Sequence, residues 1–244
     1  MFLTYVNTRP EIEQSGVDTA ILPLGSIEQH SAHMPIGTDC LNAEAVARGV
    51  AEQIGGLLLP VLPVSNCYEH RQSGRFGGIW IRPNTYYQML QDIILSLREQ
   101  GFRRVILILG HGGIFIAGPL TRELNAMYDD LLVIKVDPLT TPEMQDILEN
   151  KDGDIHAGES ETSLMLYMRE ELVDREKMMQ DDCIPDCPRD FLNYASLQKL
   201  STTGAWGRPS LAAKEKGERL LRARINASVE YIRRATELGT QERW

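Results

Sequence analysis

The chain has 244 residues, of which 43% are hydrophobic and 24% charged, and its formal net charge is −9. That is ample material for one core, and no Pro/Gly/Ser linker or shift in composition divides it, so a single domain over residues 1–244 is expected. The negative balance excludes a nucleic-acid partner, whose phosphates would be repelled over most of the surface.

In chain order, Ala20-Ile21-Leu22-Pro23-Leu24 is a short apolar strand ending at Gly25. Residues 43–54 read as a helix stopped by Gly55 and Gly56. The run 57–64 is apolar, but Pro60 and Pro63 predict a sheet edge or a distorted strand. Tyr86, Leu90, Ile93, Ile94 and Leu97 repeat at helical spacing, with Asn84 as the N-cap and Gly101 as the stop. Residues 105–109 form a buried strand, and His111 lies just beyond its end. A helix over 116–128 leads into an apolar strand over 131–136, and a further helix starts at 162–168. The last element is a long helix with Pro209 in its first turn and Leu221, Ile225, Val229 and Ile232 as its buried stripe. Strands separated by helices predict a layered α/β/α fold with a mostly parallel sheet, in which ligands bind beyond the carboxyl ends of the strands.

No apolar stretch reaches the roughly eighteen residues of a membrane span, so no membrane partner is expected. The opening residues lack a basic segment followed by an apolar one, which predicts a cytoplasmic protein. The four cysteines include Cys183 and Cys187, but no second Cys/His pair stands at zinc-finger spacing, so reduced thiols are expected.

The five histidines fall in segments that also carry acids or glycines. His30 and His33 stand near Glu28, with Asp39 further on. His111 lies in Gly110-His111-Gly112-Gly113, His156 opens a segment with Glu159 and Glu161, and His70 follows Glu69. Imidazoles beside carboxylates at strand ends are the material of a hydrolytic metal site. Glu28 and His30 face the same side of an extended segment, and the turn at 35–37 can bring Asp39 back toward them. One carboxylate can bridge two divalent ions about 3.5–4 Å apart. The other reading of these residues makes Glu28 and Asp39 helix caps, with His30 bonded to a backbone carbonyl. The glycine segment lacks the Gly-Lys-Ser/Thr ending of a P-loop and the spaced glycines of a dinucleotide site, which leaves a metal ligand or a simple tight turn. Of Glu159 and Glu161, one is expected to cap a helix and the other to bind metal.

Leu22-Pro23-Leu24-Gly25-Ser26-Ile27-Glu28-Gln29-His30, Thr38-Asp39, Gly110-His111-Gly112-Gly113 and His156-Ala157-Gly158-Glu159-Ser160-Glu161-Thr162-Ser163 resemble the signatures of the creatininase (creatinine amidohydrolase) family. Phe76-Gly77-Gly78 and Thr203-Gly204-Ala205-Trp206-Gly207-Arg208-Pro209 resemble weaker landmarks, so the resemblance runs from about residue 20 to residue 217. It implies a layered α/β fold, two divalent metal ions per chain (zinc, manganese or iron), hydrolysis of a C–N bond and a homo-oligomer, often a hexamer. Glu28, His30, Asp39 and His111 match metal ligands, with Asp39 bridging, and His156 matches a residue that handles protons.

Two departures bear on the substrate. Creatinine-hydrolysing members carry a glutamate ligand where this chain has Gly113. Many relatives share that glycine and carry an extra glutamate after the third motif's histidine, so Glu159 is expected to supply the missing ligand. Ile114 stands where relatives usually have asparagine. Both changes argue against creatinine as substrate. Relatives with this pattern resemble deformylases of ring-opened purine or pyrimidine intermediates, peptide-trimming enzymes of cofactor pathways, and hydrolases of cyclic polyol ketones. His70, Arg71, Arg75, Trp80 and Trp206 are expected to line the pocket for a small-molecule substrate. The resulting expectation is a metal-dependent amidohydrolase acting on a small cyclic amide or formamide. The alternatives are opening of a cyclic ketone or lactone of polyol metabolism, or a non-catalytic metal-binding assembly subunit.

Overall fold

Two aliphatic runs that cannot face water on either side form the centre of the sheet. The computed structural model describes residues 1–139 and 141–239. Strand β1 (Phe2–Thr4) is followed by helix α1 (Arg9–Ser15), β2 (Thr19–Leu24), α2 (Thr38–Ile54), β3 (Gly56–Leu58), α3 (Pro83–Glu99), β4 (Arg104–Leu109), α4 (Ala117–Met127) and β5 (Leu132–Val136). Helices α5 (Glu159–Met168), α6 (Arg175–Met178), α7 (Leu197–Leu200) and α8 (Lys214–Gly239) complete the described chain. The central strands β2 and β4 pair in parallel, from Thr19 with Arg104 to Leu24 with Leu109. The order across the five-stranded sheet is β1-β3-β2-β4-β5, and these five strands all pair in parallel.

Alternate residues of each strand face opposite sides, and each side is covered by helices. Leu22, Leu24, Leu107 and Leu109 pack with Leu90 and Ile94 of α3 and Leu120 and Leu124 of α4. Ile21, Ile106, Ile108 and Ile134 pack with Val46, Ala47 and Val50 of α2 and Ile232 of α8. The result is the expected α/β/α layering. Ile106 is fully buried in it, and cutting that side chain to alanine would cost about 2–5 kcal/mol.

The course of the chain makes a crevice at one end of the sheet. From β2 the chain crosses through α2 to β3, while from β4 it crosses through α4 to β5 on the other side. The two helices lie on opposite faces. The space beyond Leu24 and Leu109 is therefore a topological switch point, where open α/β sheets bind their ligands.

Several boundaries differ from expectation. β3 is only Gly56–Leu58 and lies inside the sheet. Its edge is β1, three residues too few for a pattern to show. The prolines end β3 early, and Leu62 returns as an isolated bridge to Leu24. Helix α2 begins at Thr38, so Asp39 lies inside its first turn rather than before the helix. Helix α3 begins at Pro83 instead of being capped by Asn84, because the fixed φ of proline suits the first helical position. Helix α5 starts at Glu159, earlier than expected. Pro209 opens a separate 3-10 turn, Pro209–Leu211, and α8 starts only at Lys214; its Leu221, Ile225, Val229 and Ile232 do face the sheet. No helix among the described residues is long and apolar enough to cross a membrane.

Candidate metal centre

The segment after β2 is folded back on itself by backbone hydrogen bonds. Glu28 N–H donates to the Ile36 carbonyl and Thr38 N–H to the Pro35 carbonyl, so the 35–37 turn returns the chain as expected. That return places Asp39 at the start of α2, where the exposed N–H groups favour a carboxylate. His111 enters from the end of the neighbouring strand β4, and His70 from a 3-10 turn, Tyr68–His70. His156 is held by paired backbone hydrogen bonds with Trp206, and Glu161 projects from the first turn of α5.

These side chains converge. Glu28 Oε1 lies 3.1 Å from His111 Nδ1, 3.0 Å from His70 Nε2 and 3.7 Å from His156 Nδ1. Asp39 divides its oxygens, Oδ1 being 3.3 Å from His30 Nε2 and Oδ2 3.3 Å from His111 Nδ1. Glu161 Oε2 lies 3.8 Å from His30 Nε2. All but Glu161 are buried, and Glu28 and His30 are wholly so.

The donor set fits divalent cations. Glu28 Oε1, His30 Nε2 and Asp39 Oδ2 are buried yet make no well-directed hydrogen bond. Buried polar atoms normally find partners, and lone pairs that approach without pairing off are what a shared cation requires. The ligand atoms of Glu28, Asp39 and His111 lie within 4.8 Å of one another, as do those of His30, Asp39 and Glu161. Glu28, His30 and His156 form a third such group. Asp39 belongs to the first two groups, one oxygen facing each, which is the arrangement of a bridging carboxylate.

The electrostatics point the same way. Burial alone would lower the basicity of His30, but Asp39, Glu161 and Glu28 outweigh it and raise its pKa to about 10. His111 is raised well above the usual imidazole value despite its burial, through Glu28, Asp39 and Glu69. Glu28, against its burial, is held well below the carboxylate range by His111 and His70. Burial, assisted by Asp39, pushes Glu161 up to about 7. Protons on the imidazoles here stand where metal cations would supply the positive charge, so metal binding would release protons.

A second layer orients these groups. Glu28 Oε2 accepts from Ser26 Oγ at 2.7 Å, and Ser65 Oγ donates to Ser26 Oγ at 2.9 Å. His30 Nδ1 lies 3.1 Å from the Glu28 carbonyl oxygen, which turns its Nε2 toward Asp39, so the carbonyl bond expected of a purely structural histidine here serves the cluster. His111 Nε2 lies 2.8 Å from Glu69 Oε1. Such carboxylate–imidazole pairs fix the ring and make the opposite nitrogen a better ligand. Ser31 and Ala157 adopt positive φ, 57° and 48°, beside His30 and His156; such backbone strain tends to cluster at functional sites.

His156 differs electrically from its neighbours. Burial, with His70 and His30 close by, holds its pKa well below the usual value, so it is neutral. Its Nε2 lies 2.8 Å from the Gln29 carbonyl oxygen, which places the ring proton there and leaves Nδ1 free to accept, facing Glu28. A cavity of about 110 Å³ opens onto this cluster, bordered by His70, His111, His156 and Glu161.

Glu159 requires a correction. It is fully buried, but its carboxylate accepts from the backbone N–H groups of Glu149 and Asn150 and from Lys216 Nζ, and it joins none of the ligand groups. Glu161, expected to be the cap, does accept the Ala157 N–H at the start of α5 through Oε2, and the same carboxylate oxygen faces His30. The reason is helical phase: α5 starts at Glu159, which puts positions 159 and 161 on different sides of its first turn.

Four of the expected pocket residues also lie elsewhere. Trp206 is buried beside His156 through its backbone, and Trp80 packs on Tyr68 with Arg71 over its ring. None of these three, nor Arg75, borders the cavity, whereas His70 does. His33 stands apart from the ligands, between Asp181 and Thr162. Cys183 and Cys187 are free.

Sequence reasoning missed Glu69, Gln29, Arg189 and Arg224. Glu69 left a signal in its place beside His70 and Gln29 in its place between Glu28 and His30, though neither was given a role, and Arg224 left one as a charge among the apolar positions of α8. Gly113 is explained by Glu69: a side chain at 113 would collide with the Glu69 carboxylate and with His111. Ile114 packs into the core.

The comparisons with known proteins bear on the family and the fold. The family model described as creatinine amidohydrolase matches residues 7–232. The chain is 31% identical over 231 residues to a creatinine amidohydrolase of Pseudomonas putida, covering 87% of this chain and 88% of that one. It is 28% identical over 231 residues to a mycofactocin precursor peptide peptidase of Mycobacterium tuberculosis, covering 88% and 84%. Among solved structures, a mutant creatininase of Zn–Zn type superposes with a TM-score of 0.80 at 27% identity, covering 96% of this chain and 98% of that one.

Proposed function

The chain belongs to the creatininase family, and from that premise we propose that it is a dinuclear metal-dependent hydrolase cleaving the C–N bond of a small cyclic amide or formamide. Glu28, Asp39 and His111 would hold one divalent ion, and His30, Asp39 and Glu161 the other. The division of the Asp39 oxygens between His111 and His30 carries this reading. Zinc, manganese and iron all suit a set of imidazoles and carboxylates, and a solved relative is of Zn–Zn type. When bound, divalent cations polarise an amide carbonyl and lower the pKa of water.

The chain's own residues then handle protons and position. His111 and His70 keep Glu28 ionised, and Ser26 and the surrounding imidazoles orient Glu28 and Asp39. His156, neutral and with Nδ1 open, takes up a proton beside Glu28 and returns it to the leaving nitrogen, completing the hydrolysis. Gln29 fixes the His156 ring through its carbonyl. The burial of the cluster keeps bulk water from screening these interactions.

A structural metal site closes its shell with protein atoms, whereas a cavity opens onto these ligands, which favours an enzyme over an assembly subunit. The names of the similar proteins, an amidohydrolase and a peptidase, support an amide as the bond broken. A homo-oligomer, a hexamer by family resemblance, is part of the proposal, with light scattering as its check. The experiment for the reaction is a panel of cyclic amides, formamides and short peptides assayed after loading with zinc, manganese or iron(II). Chelation should abolish hydrolysis and re-addition should restore it. Turnover by demonstrably metal-free protein would refute the reading.

A further inference from the structure

Two arginines border the cavity over the cluster, and neither has an ion-pair partner among the described residues. Arg224, from α8, is 2% exposed, and its Nε makes no hydrogen bond. The charges of Glu161, Asp154, Asp137 and Asp39 act on it only from beyond contact distance. A buried guanidinium without a paired carboxylate is costly, so something must offset its charge. Cations at the centre would engage Glu161 and Asp39 and so deepen that deficit.

Arg189 lies at the outer side of the same cavity. Its Nη2 would be only 2.8 Å from a methyl group placed on Gly112, so the guanidinium rests on the backbone next to His111. Leu139, Leu192 and Leu197 border the cavity with it. An exposed cation on an apolar rim, beside a ligand of the centre, is suited to gripping a planar anion through two N–H groups.

We propose that the substrate carries a carboxylate close to the scissile amide, gripped by Arg189, with Arg224 supplying positive charge from the cavity wall. The inference rests on the hydrolase reading and adds to it the charge of the substrate. It makes Arg189 a specificity-determining residue, whose share in acid-over-amide preference is read from the Arg189 variant rather than from the preference alone.

The test uses the manganese-loaded protein with succinate and its neutral diamide as probes, followed by calorimetry. Succinate should bind at least about tenfold more tightly than the diamide, and Arg189→Met should remove about tenfold of the succinate affinity while metal content stays unchanged. Because Arg189 is exposed, that variant should fold normally. Equal binding of the two probes, binding of neither, or undiminished succinate affinity in Arg189→Met overturns the proposal while leaving the hydrolase reading in place. Metal content is measured first, and a chain that takes up no metal overturns both together.

Discussion

Glu159 Oε1 lies 2.5 Å from Lys216 Nζ, which ties the start of α5 to the start of α8 and turns that carboxylate away from the histidines. Both of its oxygens also accept backbone N–H groups of the 149–150 turn. Glu161, two residues on, faces His30 and Asp39 instead. Replacing Glu161 with Gln should therefore lower metal content toward one ion per chain and remove most activity. Glu159→Gln should keep both ions and cost about 1–3 kcal/mol of stability through its buried, charge-assisted hydrogen bonds. Metal analysis with urea unfolding of both variants separates the roles, and the opposite pattern would return the ligand to Glu159.

Asp39 is the residue on which both ion sites depend. Asp39→Asn keeps the shape but replaces one oxygen by an amino group with no lone pair to offer. Loss of several kcal/mol of transition-state stabilisation, about three orders of magnitude in kcat, is expected, with metal content reduced. Near-normal turnover in this variant would show that the carboxylate does not bridge.

His156 should behave differently from the ligands. His156→Ala is expected to lower kcat by about 10²–10⁴-fold while two ions remain bound. A matched loss of metal would instead make it a ligand, the role open to it beside Glu28 and His30.

Glu69 acts through His111, with 2.8 Å between its Oε1 and His111 Nε2. Glu69→Gln should weaken metal binding about 10–100-fold, the usual effect of losing an outer carboxylate. Unchanged affinity, measured by competition with a chelator, would reduce Glu69 to a packing role.

Stability should respond to pH differently with and without metal. His30 binds its proton more tightly in the folded than in the unfolded chain, its pKa rising from 6.5 to about 10. Its contribution is complete below pH 6.5 and disappears as pH rises through about 10. Glu161, raised from 4.5 to about 7, also makes the folded state lose stability with rising pH, between those two values. From pH 7 to pH 10, where the lowered pKa of His156 no longer adds stability with rising pH, metal-free protein should therefore melt at falling temperature. Metal-loaded protein should not, because cations replace the protons. Parallel melting curves would contradict the assignment of positive charge at this cluster.

Much of the fold was legible because it follows from apolar runs long enough to show a pattern. The 105–109 strand and the buried stripe of α8 depend on local burial alone. β1 was hidden because three residues carry no period, and the start of α8 because Pro209 suits the first turn of a 3-10 turn as well as that of a helix. In the site, Glu28, His30, Asp39 and His111 could be named because they sit at strand ends or return through a tight turn. The choice between Glu159 and Glu161 depended on where α5 begins, a boundary that composition does not set. Glu69, Arg189 and Arg224 arrive from distant segments, and only folding brings them to the cavity.

Both proposed ion sites depend on Asp39 standing between two cations. Anomalous diffraction at the zinc edge, from crystals grown with zinc, reads it directly. Two peaks should flank the Asp39 carboxylate, one in bonding contact with Glu28 and His111 Nδ1 and the other with His30 Nε2 and Glu161. A single peak, or a second peak beside Glu159 and Lys216, would contradict it.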